Sequence, residues 1–184
     1  MKRLLAYGLL GLPLLALALP AAAQHSTYAG QEAREIKALS PEDVGAYLAG
    51  KGMGLAKAAE LNGYPGPAHV LELASKLELT AEQRTKTQSL FASMEAKAMS
   101  LGRALIDEER KLDRLFASKA IDPDSLNRTL DAIGQLQAKV RGAHLEAHLA
   151  QVKILTPQQT QRYAALRGYA AAGGNQGHGE QHKH

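Results

Sequence analysis

The sequence predicts an all-α chain whose centre is a long antiparallel helical hairpin preceded by short hook helices. Three observations predict it. First, four places repeat one local grammar, an aliphatic residue followed by a capping side chain and usually proline: Leu39-Ser40-Pro41, Leu79-Thr80-Ala81, Ile121-Asp122-Pro123 and Leu155-Thr156-Pro157. A Ser, Thr or Asp oxygen accepts from the unpaired amides of a first helical turn, and proline at the next position loses no donor the helix needs. Second, apolar residues between these sites recur at helical three-four spacing. Third, the chain has no Trp, two Phe and six Tyr, too little aromatic area for an ordinary compact core, while Ala, Leu, Lys, Glu and Gln dominate.

The elements follow in order. Met1-Lys2-Arg3 gives a positive start, Leu4 to Leu19 is apolar but interrupted by Gly8, Gly11 and Pro13, and Pro20-Ala21-Ala22-Ala23 offers a small-residue cleavage site. Residues 1–23 therefore read as a secretory signal peptide cut near Ala23, with no transmembrane segment remaining afterwards. The chain has no cysteine, so neither a disulfide nor a lipidated cysteine is available, and periplasm is the simplest destination. The signal carries Lys2 and Arg3 and no acidic residue, so the mature chain holds a net charge of +2 where the whole holds +4. That balance leaves no nucleic-acid footprint.

Residues 24–78 are expected to form the hooks. Gln31 to Leu39 and Pro41 to Ala49 read as short helices, and two more helical pieces follow, punctuated by Gly50, Gly52, Gly54 and the stop-and-restart Asn62-Gly63-Tyr64-Pro65-Gly66-Pro67. Residues 79–169 are expected to form the hairpin. From Thr80 to about Ala117 no proline intervenes and Leu90, Met94, Ala98, Leu101, Leu105, Leu112 and Leu115 keep the helical rhythm. From Pro123 to about Ile154 the rhythm resumes with Leu126, Leu130, Ile133, Leu136, Val140, His144, His148, Val152 and Leu155. Two long helices joined at Ser118 to Ile121 must run antiparallel. Gln83 stands three after Thr80, and Gln159 three after Thr156, so each can close a capping box. Residues 170–184 have no apolar period and read as a disordered, histidine-containing tail.

Two histidines carry the sharpest chemistry. His144 and His148 lie four apart on one face of the second long helix and could supply two positions to Zn, Cu, Ni or Co; they could equally pack within the aliphatic stripe between Val140 and Val152. With hairpin positions summing to roughly 241, Met94 and Ala98 come within reach of the pair. Met94 is then a third ligand or a gap filler. A tight site needs such a third group, from Met94, from the hooks or from another protomer. His69 and Glu72 allow a ligand pair but suit an ordinary first turn, and His178, His182 and His184 are at most auxiliaries. Glu108 sits where the seam calls for an apolar residue, and fixes register or tilts outward. No zinc-protease helix, partnered nucleophile, phosphate loop or carboxylate pair is present, so an enzyme is not expected.

The strings "LTAEQ" and "LTPQQ", 76 residues apart around a hairpin in an exported all-helical chain, resemble the LTxxQ-motif proteins of the Gram-negative periplasm, the Spy and CpxP stress chaperones, and more distantly heavy-metal resistance and sensor proteins. The resemblance implies a homodimer of curved hairpins that holds unfolded periplasmic clients without ATP, binds a stress-sensor domain, or presents a metal. It gives Leu79, Thr80, Gln83, Leu155, Thr156 and Gln159 a structural role at helix starts. For a chaperone, Lys97, Arg103, Arg110, Lys111 and Arg114 around the seam would steer clients, or else form a solvated helix face. The chaperone or envelope-stress reading is the leading expectation; heavy-metal binding or sensing through His144 and His148 is the alternative.

Overall fold

The computed structural model describes residues 27–169; the signal-peptide and tail expectations lie outside them. The chain divides into two compact units, residues 1–32 and 33–184. In the first, residues 27–30 form a turn, closed by the Gln31 amide donating to the Tyr28 carbonyl. Among its described residues the second holds six helices: α1 (Pro41–Leu48), α2 (Lys57–Glu60), α3 (Pro67–Glu72), α4 (Ala81–Ala117), α5 (Pro123–Val152) and α6 (Pro157–Leu166). No strand occurs among the described residues, and no helix there is long and apolar enough to cross a membrane.

The caps explain the boundaries. Ser40, Thr80, Asp122 and Thr156 each hold extended backbone, each accepts from the amide three residues on, and each has its own amide bound by that residue's side chain. The segment 31–39, expected as a helix, instead runs through turns and bends. It has no capping residue at its start and buries only Ile36. One apolar anchor does not offset the cost of nucleating so short a helix.

At 37 residues and about 1.5 Å per residue, α4 extends about 56 Å and needs a partner along its length. It packs on α5, and Ala98, Leu105 and Ile106 of α4 and Ile133, Val140, Ala143 and Ala147 of α5 are all buried. Across this seam Gln83 donates to the Ile154 carbonyl, Gln151 donates to Thr87, and Lys97 pairs with Glu146, so rising numbers on α4 meet falling numbers on α5. Burying one Leu105 contributes about 2 kcal/mol, and the row of such residues outweighs the seam's polar members.

Two seam positions differ from the apolar count. Leu130 is 47% exposed and Thr129 is buried in its place, its hydroxyl satisfied by the Ser125 carbonyl. A straight helix drifts relative to any fixed repeat, so the inward face passes from one residue to its neighbour. Glu108 tilts outward and pairs with Lys111, while the next residue, Glu109, is the buried carboxylate.

The two Leu-Thr-x-x-Gln strings meet. The Gln83 amide nitrogen donates to Gln159 Oε1 at 2.8 Å, and the Gln159 amide nitrogen donates back to Gln83 Oε1 at 3.0 Å. Each nitrogen's second proton goes to a carbonyl, Ile154 for Gln83 and Leu77 for Gln159, and each oxygen also accepts the amide of its own cap residue. Every hydrogen-bonding position of both side-chain amides is thereby filled. Leu155 is buried with Val70, Leu77 and Tyr163, and Leu79 packs against that cluster. The cluster fastens α3, α6 and the start of α4.

Close approach by glycine seats the hooks. A Cβ on Gly102 would lie 2.5 Å from the Tyr47 carbonyl oxygen, so the end of α1 rests directly on the α4 backbone there. A Cβ on Gly66 would lie 2.9 Å from His148 Cε1 and 3.0 Å from Nε2. The N-terminus of α3 is thus pressed against the edge of a histidine ring of α5.

Candidate functional site

Between the hooks and the two long helices lies a cavity of about 510 Å³. His144 and His148 form part of its wall from α5, and Phe91, Met94 and Glu95 from α4. The structure therefore brings Met94 to the same cavity as the histidine pair. His69 of α3 lines it too, its Nδ1 3.0 Å from Glu72 Oε2, so all three histidines among the described residues border one space.

The tautomer of a neutral His148 ring follows from its partner. Its Nδ1 lies 2.7 Å from the Tyr64 carbonyl oxygen, which can only accept, so Nδ1 carries the proton and donates. Nε2 then holds the lone pair. A histidine whose other nitrogen is committed to a backbone carbonyl is oriented as metal-binding imidazoles are. The side chain is 11% exposed, and its Nδ1 stands 3.7 Å from Glu60 Oε2.

His144 is 5% exposed, and its Nε2 is buried without a hydrogen-bond partner. Burial, and secondarily the nearness of His148, holds its pKa below the usual histidine value. The neutral ring is the form that binds metal. A buried polar nitrogen without a partner costs about 1–3 kcal/mol, so its persistence on a cavity wall points to a ligand. Two imidazoles and a thioether lining the same cavity are donor types that suit Zn, Cu, Ni or Co. Among the described residues no group of three His, Cys, Asp or Glu is placed to hold an ion.

Glu60, which the sequence did not flag, is the hub of the cavity's far end. Its Oε1 accepts from the Tyr163 hydroxyl at 2.5 Å and the Tyr169 hydroxyl at 3.2 Å, and Oε2 accepts from the Gly66 amide at 3.2 Å. Arg167 Nε stands 3.5 Å from Oε1, and its Nη2 donates to the Tyr169 hydroxyl. Burial, then the bond to Glu60, drives the Tyr163 pKa far above the ordinary phenol value. The only sequence signal was a carboxylate ending a short alanine-rich stretch before Asn-Gly, with two tyrosines a hundred residues later.

The five cations expected around a client surface are largely engaged within the chain. Lys97 pairs with Glu146, Arg110 with Glu35 and Asp107, and Lys111 with Glu108; Arg103 and Arg114 are exposed.

A protein-family model described as heavy-metal resistance matches residues 44–162. The chain belongs to that family. The matched span contains Glu60, His69, Met94, His144 and His148 of the cavity lining, while Arg167 and Tyr169 lie beyond it. No curated protein and no solved structure matches the chain.

Proposed function

We propose that this chain is an exported, non-catalytic periplasmic protein that binds Zn, Cu, Ni or Co, with His144 and His148 as ligands and Met94 as an adaptable third. One observation carries the reading: both imidazoles are buried on one cavity wall, one with its lone-pair nitrogen freed by the Tyr64 carbonyl and the other with a nitrogen that has no partner. Membership in the heavy-metal-resistance family supports it. The metal is cargo, sequestered or presented to a signalling partner. In this reading α4 and α5 form the antiparallel hairpin of a Spy/CpxP-like homodimer, preceded by the hooks, and the histidine-bearing tail adds loose capacity.

Holding unfolded clients is the weaker reading, because Lys97, Arg110 and Lys111 are already neutralised by neighbours. Titration calorimetry with each metal tests the proposal, on full-length chain carrying His178→Gln, His182→Gln and His184→Gln. The expected result is one site per chain, abolished by adding His144→Ala and His148→Ala. Equal binding with and without those two substitutions would falsify it.

A further inference from the structure

We infer that the cavity takes its metal as a complex with a small carboxylate chelator in preference to the aqueous ion, which it binds more weakly. The inference rests on His144 and His148 as the metal pair and names the form of the cargo. Four features point to it.

The chain offers too few donors. Two imidazole nitrogens and a thioether leave a tetrahedral or tetragonal ion short of ligands, and among the described residues no carboxylate or third histidine is grouped with the pair to complete it. The space is too large for an ion. A cavity of about 510 Å³ is many times the ~30 Å³ that one water takes up in the liquid, and lies in the range of small-molecule sites.

The charge on the walls has the wrong sign for a bare cation. Lys51, Lys57 and Arg167 line the cavity against two carboxylates, Glu60 and Glu95; Glu60 is ion-paired with Arg167, and the excess positive charge comes from the two exposed lysines. A divalent ion entering alone meets a net positive wall; a chelate whose carboxylates have cancelled the ion's charge does not. Finally, a cation with one unused donor lies on the cavity wall. Arg167 is ion-paired with Glu60 at 3.5 Å and donates through Nη2 to Tyr169, while its buried Nε makes no hydrogen bond. Arg167 lines the same cavity as His144, whose Nε2 is likewise buried without a partner.

One ligand satisfies both unpaired atoms: an electron-pair acceptor for His144 and a carboxylate oxygen for Arg167. A metal carried by a small dicarboxylate, hydroxycarboxylate or amino acid has both. In such a ternary complex two nitrogens come from the protein and two oxygens from the chelator, which makes the N,O set that Cu(II) and Ni(II) favour.

Malonate serves as the probe, with Cu(II), on the full-length chain carrying the three tail substitutions to glutamine. A chelator competing for the ion weakens copper binding, whereas one that enters with it strengthens binding, so the sign of the effect decides. The expected result is that malonate raises the apparent copper affinity about tenfold, an ordinary strength of coupling between two ligands. Equilibrium dialysis should then retain labelled malonate at a ratio to copper near one, falling toward zero in Arg167→Gln. Weakened copper binding with no retained malonate overturns the ternary complex and leaves the metal site standing. Failure to bind copper in either form removes the metal reading itself. Retention at an unchanged ratio in Arg167→Gln removes the assignment of the carboxylate to that arginine.

Discussion

His148 is held from two sides, by the Tyr64 carbonyl at Nδ1 and by the bare Cα of Gly66 at the opposite ring edge. Gly66 has ordinary extended backbone, φ −82 and ψ 139, so alanine there is unstrained and acts only through its methyl. That methyl needs the space of the ring. Gly66→Ala is therefore expected to displace His148 and weaken metal binding on the order of 10- to 100-fold, as loss of an orienting group does. Calorimetry measures it, and an unchanged affinity would show that the ring is not a ligand. Glu109 makes a different point. Burial, then the charge of Asp113, raises its pKa above the ordinary glutamate value. The folded chain thus binds its proton more tightly than the unfolded chain, so the stability this group supplies is present below the ordinary value and lost as pH rises through the folded value. Glu109→Gln removes the buried charge and should raise Tm at pH 7, with the gain shrinking as the pH falls toward 4. His144 runs the opposite way. Its lowered folded pKa makes stability rise with pH through the histidine range and level off above the unfolded value, so the wild type should lose Tm on acidification below about pH 6.5 while His144→Gln loses less. Of these residues the sequence placed His144, His148 and Met94 near one another, through a four-residue spacing and a hairpin register, and left metal binding and packing both open. It could not show Glu60, Tyr64 or Gly66, whose parts are fixed by packing between segments more than eighty residues apart.

At the scale of elements, the helix boundaries were legible because caps are written within four consecutive residues. Ser40, Thr80, Asp122 and Thr156 each state a start in chemistry that needs no tertiary partner. Where the answer depended on what lay opposite, the pattern misled: Leu130 turned out to face solvent, and residues 31–39 found too little to bury to become a helix. The cross-pairing of Gln83 with Gln159 lies between these cases. Each capping box was visible, but nothing local said that the same two amides would also bond to each other. That sharing makes a specific energetic prediction. Removing one glutamine strips its partner of a donor and an acceptor and leaves a carbonyl, Ile154 or Leu77, without its bond. Gln83→Ala or Gln159→Ala should each cost about 2 kcal/mol, and the double variant clearly less than the sum, with a coupling of about 1 kcal/mol. Urea denaturation of the four chains measures the cycle; strict additivity would mean that the two amides act only as separate caps.

For the whole molecule the decisive feature is that the cavity's walls come from two layers of unequal stability. The long helices bury a continuous seam, whereas the hooks are short and are held by a small cluster around Val70 and Leu77 and by the Glu60 hub. Local opening is least costly where few apolar side chains are buried, so the segment from Ala49 to His69 should exchange its amide hydrogens well before the centres of α4 and α5. A ligand seated on His148 contacts a ring whose position the hook determines, through Tyr64 and Gly66. Binding must then stabilise the closed hook by the same free energy by which hook opening weakens binding. At a hundredfold excess over Kd the stabilisation is about 2.7 kcal/mol, which corresponds to roughly a hundredfold slowing of exchange in every amide exposed by that opening. Hydrogen exchange with and without Zn or Cu reads this directly. Slowing confined to α5 around His144 and His148 would mean that the hook is no part of the site, whereas slowing across residues 49–69 identifies hook closure as the structural event that metal binding drives.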